Sequence, residues 1–475
     1  MALTTGIEHL TPSPSKGVLF QNNYITDFDF TKQFLPDVYE KEAEIYGNRS
    51  IGSFLRMVSA EMPSASDEIR WVEQGRLHVR YEDVTLVKST NTFTLTLQAN
   101  PDGTAANSAG EAAVRVGQTI MVQAKDTNGD GTGDVFKGVV TTASNDASGV
   151  TSTFVAQCYT AATWGSLSVT NGVIVLVYGS EFAKGSSGMS ESINSDYSSY
   201  TNKPIILKDN YQVSGSDTAQ IGWIEVTSEN GASGYLWYLK SEHETRQRFE
   251  DYLEMSMIEA VKKETASTLG SGYQGSEGLF AALDARGNIF DGLGSSTTVL
   301  ADFDVILKQL DRNGAIEENM LYVNRDLALN FDDGLGDVNA HYSGGSSYGV
   351  FNNSEDMALN LGFNGFRRGS YDFYKTDWKY LNDFGTRGGF NDVEGVLIPA
   401  GTSTVYDQDL GQNIKRPFLH IRYRASEADD RKMKTWITGS VGGAYTSDID
   451  EMRVNFLSER CLITQGANNF FKFDA

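Results

Sequence analysis

Ser241-Glu-His-Glu-Thr-Arg-Gln-Arg-Phe-Glu-Asp-Tyr-Leu-Glu-Met-Ser-Met-Ile-Glu-Ala-Val-Lys-Lys-Glu-Thr-Ala266 carries the strongest helical period in the chain. Phe249, Tyr252, Leu253, Met257, Ala260 and Val261 recur every three or four residues, which places them on one apolar stripe of an α-helix. Ser241 and Glu244 have the spacing of a capping box, and Lys262 and Lys263 fall where the helix dipole is negative. The reading is a single helix over Ser241–Ala266, roughly 35 to 40 Å long.

β structure lies on both sides of this helix. Upstream, Ile205–Leu207, Tyr211–Val213 and Trp223–Val226 read as strands, preceded by a Ser, Gly, Asn and Tyr-rich loop over Gly185–Tyr200. Between Val84 and Ser180 the chain is rich in Thr, Gly, Ala and Val and poor in Lys and Arg, a shift that marks a separate module. Its apolar runs at Phe93–Leu97, Thr119–Gln123, Val135–Val140, Thr153–Cys158 and Val173–Val177 predict five or more strands, hence a small barrel or sandwich. Ahead of it, Ile69 and Trp71, then Leu77, Val79 and Tyr81, alternate with polar residues across Gln74-Gly75 and predict a hairpin. Ser50–Ala60 reads as a helix stopped by Pro63. Residues before it have too little apolar surface for a core of their own. They fit an extended arm with a short helix over Asp37–Tyr46, or a partly ordered terminus.

Downstream, Asp302–Leu310 predicts a second helix ending at Asn313-Gly314, and Met320–Val323 a strand. Beyond Asn330 come glycine-rich loops and short strands at Val393–Ile398, Phe418–Tyr423 and Leu462–Gln465. With Gly 48 against Pro 8, and Tyr 22 and Phe 25, many strands and turns with aromatic packing are expected, so the class is α+β.

Composition excludes several functions. A net charge of −23 argues against sequence-specific reading of nucleic acid, which depends on Lys and Arg at phosphates. Such a charge still suits a wall that only tolerates DNA, and it keeps many copies soluble. Cys158 and Cys461 cannot build a disulfide framework or a four-ligand zinc site. The longest apolar run, Val173–Tyr178, is far short of the roughly 20 residues of a membrane helix, and no signal-like segment opens the chain. No membrane partner is expected.

Lys203-Pro-Ile-Ile-Leu-Lys-Asp-Asn-Tyr-Gln-Val-Ser-Gly-Ser-Asp-Thr-Ala219, followed by a few strand residues and the long helix, resembles the descending limb of the extended loop and the spine helix of Hong-Kong-97-type major capsid proteins of tailed double-stranded DNA phages. Thr446-Ser-Asp-Ile-Asp-Glu-Met-Arg-Val-Asn-Phe-Leu-Ser-Glu-Arg-Cys-Leu-Ile-Thr-Gln-Gly-Ala-Asn-Asn-Phe-Phe-Lys-Phe473 resembles their closing strands. The order of parts carries the resemblance more than any one residue does.

The resemblance implies an N-terminal arm over 1–48 and an extended loop with its base over 49–83 and 181–235. It implies a β-rich insertion over 84–180, a peripheral domain with the spine helix over 236–277 and 378–475, and an axial domain over 278–377. It further implies a non-enzymatic head subunit that self-assembles into hexamers and pentamers around DNA. Its partners would be portal, scaffolding and decoration proteins and, without sequence preference, packaged DNA. Its place would be the virion, after assembly in the host bacterial cytoplasm. Insertions at this position in the family commonly lie on the outer capsid surface. Two other readings stay open: another repeating virion part, such as a tail or decoration protein, and a calcium-dependent binding module.

The sharpest local motif is Asp126-Thr-Asn128-Gly-Asp130-Gly-Thr132-Gly-Asp134, with oxygen ligands at alternate positions and a glycine for the sharp turn. These are the features of a Ca²⁺ loop. Lys137 stands at the twelfth position where a bidentate Glu is expected, so a plain hairpin connection built on Asn-Gly and Asp-Gly turns fits as well. Ca²⁺ at Asp126, Asn128, Asp130, Thr132 and Asp134 is the one cofactor in view. Gly345-Ser-Ser347-Tyr-Gly349 with His420 downstream has the letters of a hydrolase elbow, but loop-like neighbours replace the strand and helix that the elbow needs. His9, His78, His243, His341 and His420 lack metal-ligand spacing, and Arg367-Arg368 and Lys415-Arg416 read as short basic surface spots.

Overall fold

The computed structural model describes residues 61–474 apart from 75–77, 79, 97–113, 125–131, 145–150, 161–163, 165–171, 190–191, 193–196, 221–224, 228–232, 292–298, 314–315, 332–363, 391, 401, 408–411 and 442–444. The chain divides into two compact units, residues 72–199 and the remainder. The arm over 1–48 and the helices expected at Asp37–Tyr46 and Ser50–Ala60 lie outside the described residues.

The described chain begins with β1 (Glu61–Ser64) and β2 (Ile69–Gln74). Next come β3 (Arg80–Val87), β4 (Thr92–Thr96), β5 (Gln118–Ala124), β6 (Thr132–Ser144), β7 (Thr151–Cys158) and β8 (Val173–Ser180). These six close into a barrel in the order β3-β4-β7-β6-β5-β8. Closure pairs every strand on both edges, so no edge is left to recruit another chain. The five runs read from the sequence are all strands here, and β3 is the sixth; Val84, where the composition shifts, lies inside β3.

Large rings fill the barrel. Phe93 stacks on Phe154 at 4.9 Å and meets Trp164 edge-on at 5.3 Å. The Trp164 indole N–H donates to the Ala156 carbonyl at 2.7 Å, so its polar end is satisfied inside. Gly138 makes room for that indole, since a Cβ there would lie 2.8 Å from the ring and 2.4 Å from the Gln157 carbonyl oxygen. The β3–β4 turn closes through Asn91 at φ +56°, a conformation that Asn tolerates better than most residues.

The sequence pattern predicts a hairpin between Ile69 and Tyr81, and the structure corrects it. β2 pairs with β9 (Tyr197–Asn202), while β3 pairs with β4 and β8. Trp71 finds its apolar neighbours at Tyr200, Cys461 and Ile463, which draws β2 away from the next strand in sequence. The loop expected over Gly185–Tyr200 therefore ends early, because Tyr197–Tyr200 belongs to β9.

In the second unit β10 (Ile205–Ser214) is one continuous strand, followed by α1 (Gly215–Gln220), β11 (Glu225–Thr227) and β12 (Ser233–Tyr235). The long helix, α2, runs Leu236–Glu259. At 1.5 Å per residue it is about 36 Å long. Both of its ends differ from the expected Ser241–Ala266. Ser241 is interior, where its carbonyl accepts the Thr245 hydroxyl at 2.9 Å, because β12 hands directly into the helix at Leu236. Past Glu259 the chain folds back on itself: the Lys263 N–H donates to Gln274 O at 3.0 Å and the Lys263 ammonium to the Leu269 and Gly270 carbonyls. Gly275, at φ +68°, closes this return, and a Cβ there would lie 2.3 Å from Val261 O. On the buried stripe, Phe249, Leu253 and Met257 face the core as predicted, while Tyr252 and Val261 are exposed.

Next come α3 (Leu279–Arg286), β13 (Asn288–Asp291), α4 (Val299–Asn313), β14 (Glu318–Val323) and a short helix, α5, over 325–331. They lead to β15 (Asn364–Arg368), β16 (Tyr371–Asp377), α6 (Lys379–Asn382) and β17 (Val393–Pro399). The chain closes with the pair β18 (Thr402–Asp407) and β19 (Gln412–Pro417), then β20 (Leu419–Arg424), β21 (Lys434–Gly439), β22 (Glu451–Thr464) and β23 (Phe471–Asp474).

Two sheets organise this unit. One has the order β13-β23-β17-β14-β16-β15, so it joins strands from 288–377 to strands from the end of the chain. Phe303 on α4 centres its core, meeting Phe331 at 5.5 Å and Phe373 at 4.7 Å. The other has β22 in the middle: β10 pairs along one edge, β20 and β21 share the other, and β1 adds to β20 in parallel. α2 packs on this second sheet, with Phe249 5.9 Å from Phe456 and Leu253 beside Val454.

Candidate functional site

Two side-chain clusters fix this unit's architecture, and both are assembled from distant parts of the sequence. The first lies where β2 and β9 meet α3. Asn202 is fully buried and uses its whole amide: its N–H groups donate to Leu462 O at 2.6 Å and Glu277 O at 2.9 Å. Its oxygen accepts from the backbone N–H of Lys203 and Glu277, both at 2.8 Å, and from the Ser276 hydroxyl at 3.2 Å. A buried amide satisfied this completely admits one arrangement of its neighbours, because any shift leaves polar groups dry and unpaired.

Beside it, the Arg286 guanidinium forms a two-pronged ion pair with Glu277 at 2.9 and 3.2 Å. The same guanidinium lies over the rings of Tyr200, at 4.4 Å, and Trp71, at 5.7 Å. Only Arg suits this place, since its planar fork pairs with a carboxylate while its face stacks on aromatics. Trp71 and Tyr200 sit on the two strands through which the chain leaves for residues 72–199 and comes back. One cation thus ties both strands to α3.

The second cluster threads the central strand. Arg460 on β22 is 4% exposed and directs its donors to the Ser458 hydroxyl at 2.8 Å, the Lys432 carbonyl at 2.8 Å and the Glu61 carboxylate at 3.2 Å. Burial pulls the guanidinium below its ordinary pKa, and Glu61 works against that. Lys432 also reaches Glu61, and Arg424 reaches both Asp67 and Glu459, the latter shared with Arg431 at 3.0 Å. Residues 61–67 are therefore held to β20 and β22 by charge as well as by four ladder pairs.

A third link closes the far end of α2. Glu259, its last residue, accepts from the Tyr380 hydroxyl at 2.6 Å and pairs with Arg387, which forks onto Asp392 at 2.7 and 3.1 Å and lies 5.1 Å from the Phe280 ring centroid. Desolvation and that hydrogen bond push the Tyr380 phenol well up from its usual value.

Of the residues singled out in the sequence, Asp126, Asn128 and Asp130 lie outside the described residues, and Thr132 and Asp134 fall at the start of β6. Among the described residues no group of three His, Cys, Asp or Glu side chains is placed to hold a metal ion. The Gly345–Gly349 motif is also outside them. His420 is buried with Nδ1 3.1 Å from the Pro417 carbonyl, a packing position. Arg368 forks onto Asp304 at 2.6 and 2.8 Å, and Arg367 pairs with Asp372 at 3.6 Å, so the basic pair meets carboxylates of its own chain. Cys158 and Cys461 are both buried and free. No helix among the described residues is long and apolar enough to cross a membrane.

Sequence reading missed both clusters. The one available signal was Trp71 and Tyr200, two aromatics bracketing the compositionally distinct module.

No protein-family model matches the chain, and no curated protein matches it. Among solved structures, it is similar to one from Mycobacterium phage Bobi, at 8% identity over 92% of this chain and 95% of that one, with a TM-score of 0.37. It is similar to a capsid structure of the cyanophage P-SCSP1u, at 10% identity over 63% and 80% of the two chains, TM-score 0.34. A third is a procapsid structure of the satellite phage P4, at 10% identity over 63% and 78%, TM-score 0.31.

Proposed function

We propose that this chain is the major structural subunit of a tailed-phage head, assembling with copies of itself into hexamers and pentamers that close an icosahedral shell around DNA. The observation that carries this reading is the order of parts. A strand bound at the sheet edge (β1) leads to a paired ribbon (β2 and β9) that brackets a barrel; then come a long helix on a sheet (α2 on β10 and β22), an α/β segment, and closing strands that return to both sheets. That is the order the family resemblance implies for arm, extended loop with insertion, spine helix, axial segment and closing β segment.

The physical role follows from rigidity. Shell closure repeats many weak interfaces, and it succeeds when each copy presents the same geometry. A fully satisfied buried amide, an arginine lying over two adjacent rings and a buried ion pair on the central strand all favour one arrangement over its neighbours. The chain's net charge of −23 keeps a surface facing packed DNA from binding it tightly. On this reading the chain does no covalent chemistry. Its partners are other copies, a portal, a scaffolding protein and decoration proteins; it is assembled in the host bacterial cytoplasm and resides in the virion.

Sedimentation velocity of the purified chain tests this. With a 52.0 kDa subunit, species of about 310 and about 260 kDa are expected for capsomers of six and five copies. A single 52 kDa species at every concentration and ionic strength tried contradicts it.

A further inference from the structure

Two strands share one edge of β22. β20 lies opposite Arg460–Thr464 and β21 opposite Met452–Leu457, so the two run end to end in a single lane. Outside β20 a further lane begins: β1 adds in parallel, with Glu61–Ser64 against Ile421–Arg424, and runs toward β21. Among the described residues no strand continues this outer lane beside β21. Half of the lane is filled and half is open.

The open half is built to take a strand. Thr435, Trp436 and Ile437 are exposed in succession, Trp436 at 37% and Ile437 at 42%. Thr435-Trp-Ile-Thr438 favours the strand conformation and has neither an internal charge nor a proline, the usual safeguards of an open edge. Its two faces differ. Thr435 is opposite Phe456 and Ile437 opposite Val454, on the side where Phe249 and Leu253 of α2 pack. Trp436 is opposite Asn455, whose amide donates to the Thr438 hydroxyl at 3.0 Å, on the other side with Lys434 and Arg453.

Backbone donors and acceptors along such an edge are satisfied by an extended segment, and the side chains decide which one. A covering strand must bring apolar residues to both faces. Tyr24-Ile-Thr-Asp-Phe-Asp-Phe-Thr31, which lies outside the described residues, has that pattern. Its period of two puts Tyr24, Phe28 and Phe30 on one face, matching Ile437 and the α2 side, and Ile25 on the other, matching Trp436. Asp27 and Asp29 then share the side of Lys434 and Arg453. Those cations already pair with Asp429 and Glu451, so the apolar match selects the segment more than net charge does. The chain between Lys32 and Ala60 leads into β1, in the same lane, and spans up to roughly 95 Å when extended. The edge is thus within reach, and the tether holds the segment at an effective concentration on the order of millimolar. We propose that residues 24–31 complete the outer lane, pairing as a strand with β21 of the same copy. The inference is independent of the head-subunit reading.

Amide hydrogen exchange read by mass spectrometry tests it on the full chain, on a chain lacking residues 1–31, and on the full-length double variant Phe28→Ser with Phe30→Ser. The amides of Thr435–Thr438 are expected to exchange at least tenfold faster in both altered chains than in the parent. Those of Cys461–Ile463 on the central strand should keep the parent rate, which shows that the sheet is intact; the double variant keeps the test decidable if the shortened chain does not fold. Protection of Thr435–Thr438 in the parent should persist on dilution to nanomolar chain. The proposal is overturned if these amides exchange alike in the parent and the folded double variant. It is equally overturned if their protection is lost on dilution, which would assign the covering strand to another copy.

Discussion

Arg286 and Tyr200 face each other with the guanidinium carbon 4.4 Å from the ring centroid, which joins the return strand β9 to the helix α3. Trp71, on the outgoing strand β2, shares the same cation. One side chain on α3 therefore touches both strands at the root of the 128-residue excursion.

Removing that side chain should loosen the root without unfolding the unit. Arg286→Ala leaves Glu277, in a mostly buried position, with only Lys262 at 3.8 Å, a loss of about 2–3 kcal/mol, below the range for a buried charge left wholly unpaired. Amide exchange at residues 69–71 and 200–202 is expected to rise at least tenfold, with Arg286→Lys in between, because an ammonium keeps the charge but cannot both fork and stack. Unchanged exchange in Arg286→Ala would show that ladder pairing alone holds β2 and β9.

Glu61 is the carboxylate facing buried Arg460. Glu61→Gln should cost about 3 kcal/mol, the lower part of the range for breaking a buried pair, since Glu61 keeps some exposure and also serves Lys432. The double change Glu61→Leu with Arg460→Met should recover most of that loss, because apolar pairs replace buried ion pairs at little cost. Chemical denaturation of the three variants distinguishes this account from one in which Glu61 is a surface residue; in that case Glu61→Gln is silent.

A pH dependence follows from Asp304. Its hydrogen bonds from Arg368 lower its pKa against a smaller opposing effect of burial, so the folded state favours the charged carboxylate. The folded value is depressed, so this stabilisation is complete above the unfolded value near 3.8 and is lost as pH falls through the folded value. Arg368→Gln should therefore flatten the decline of Tm below about pH 4 and leave the profile between pH 6 and 8 parallel to the parent. Because the Asp304 side chain is about half exposed, a modest effect is expected. Identical acid limbs for parent and variant would count against the assignment.

Cys461, on the central strand, has its thiol pushed up to about 12 by burial, with Arg422 opposing weakly. The thiolate is the reactive form, so iodoacetamide at pH 8 should leave Cys461 unmodified in the folded protein and label it readily in guanidinium. Peptide mass spectrometry reads both states, and rapid native labelling would mean that β22 is accessible.

How much of this was legible in the sequence depended on whether local pattern and environment agreed. The barrel strands were readable because Thr and Val alternate around large residues such as Phe93 and Phe154, which point inward. The stripe Phe249, Leu253 and Met257 was equally plain. β22 was legible from its pattern only at its end, Leu462–Gln465: further back Glu451, Arg453, Glu459 and Arg460 interrupt its apolar residues, and partners on β1, β10, β20 and the segment before β21 make burying them tolerable. The capping-box letters at Ser241 misled because the same spacing arises by chance inside a helix whose true start is set by β12. The Asn202 and Arg286 cluster draws on residues 71, 200, 202, 276, 277, 286 and 462, and no local window contains that pairing.

Negative-stain electron microscopy of the purified chain, alone and co-expressed with any scaffolding or portal protein encoded beside it, tests whether it builds a head shell. Closed shells or ring-shaped capsomers of six and five subunits are expected. Discrete monomers in every condition would contradict it.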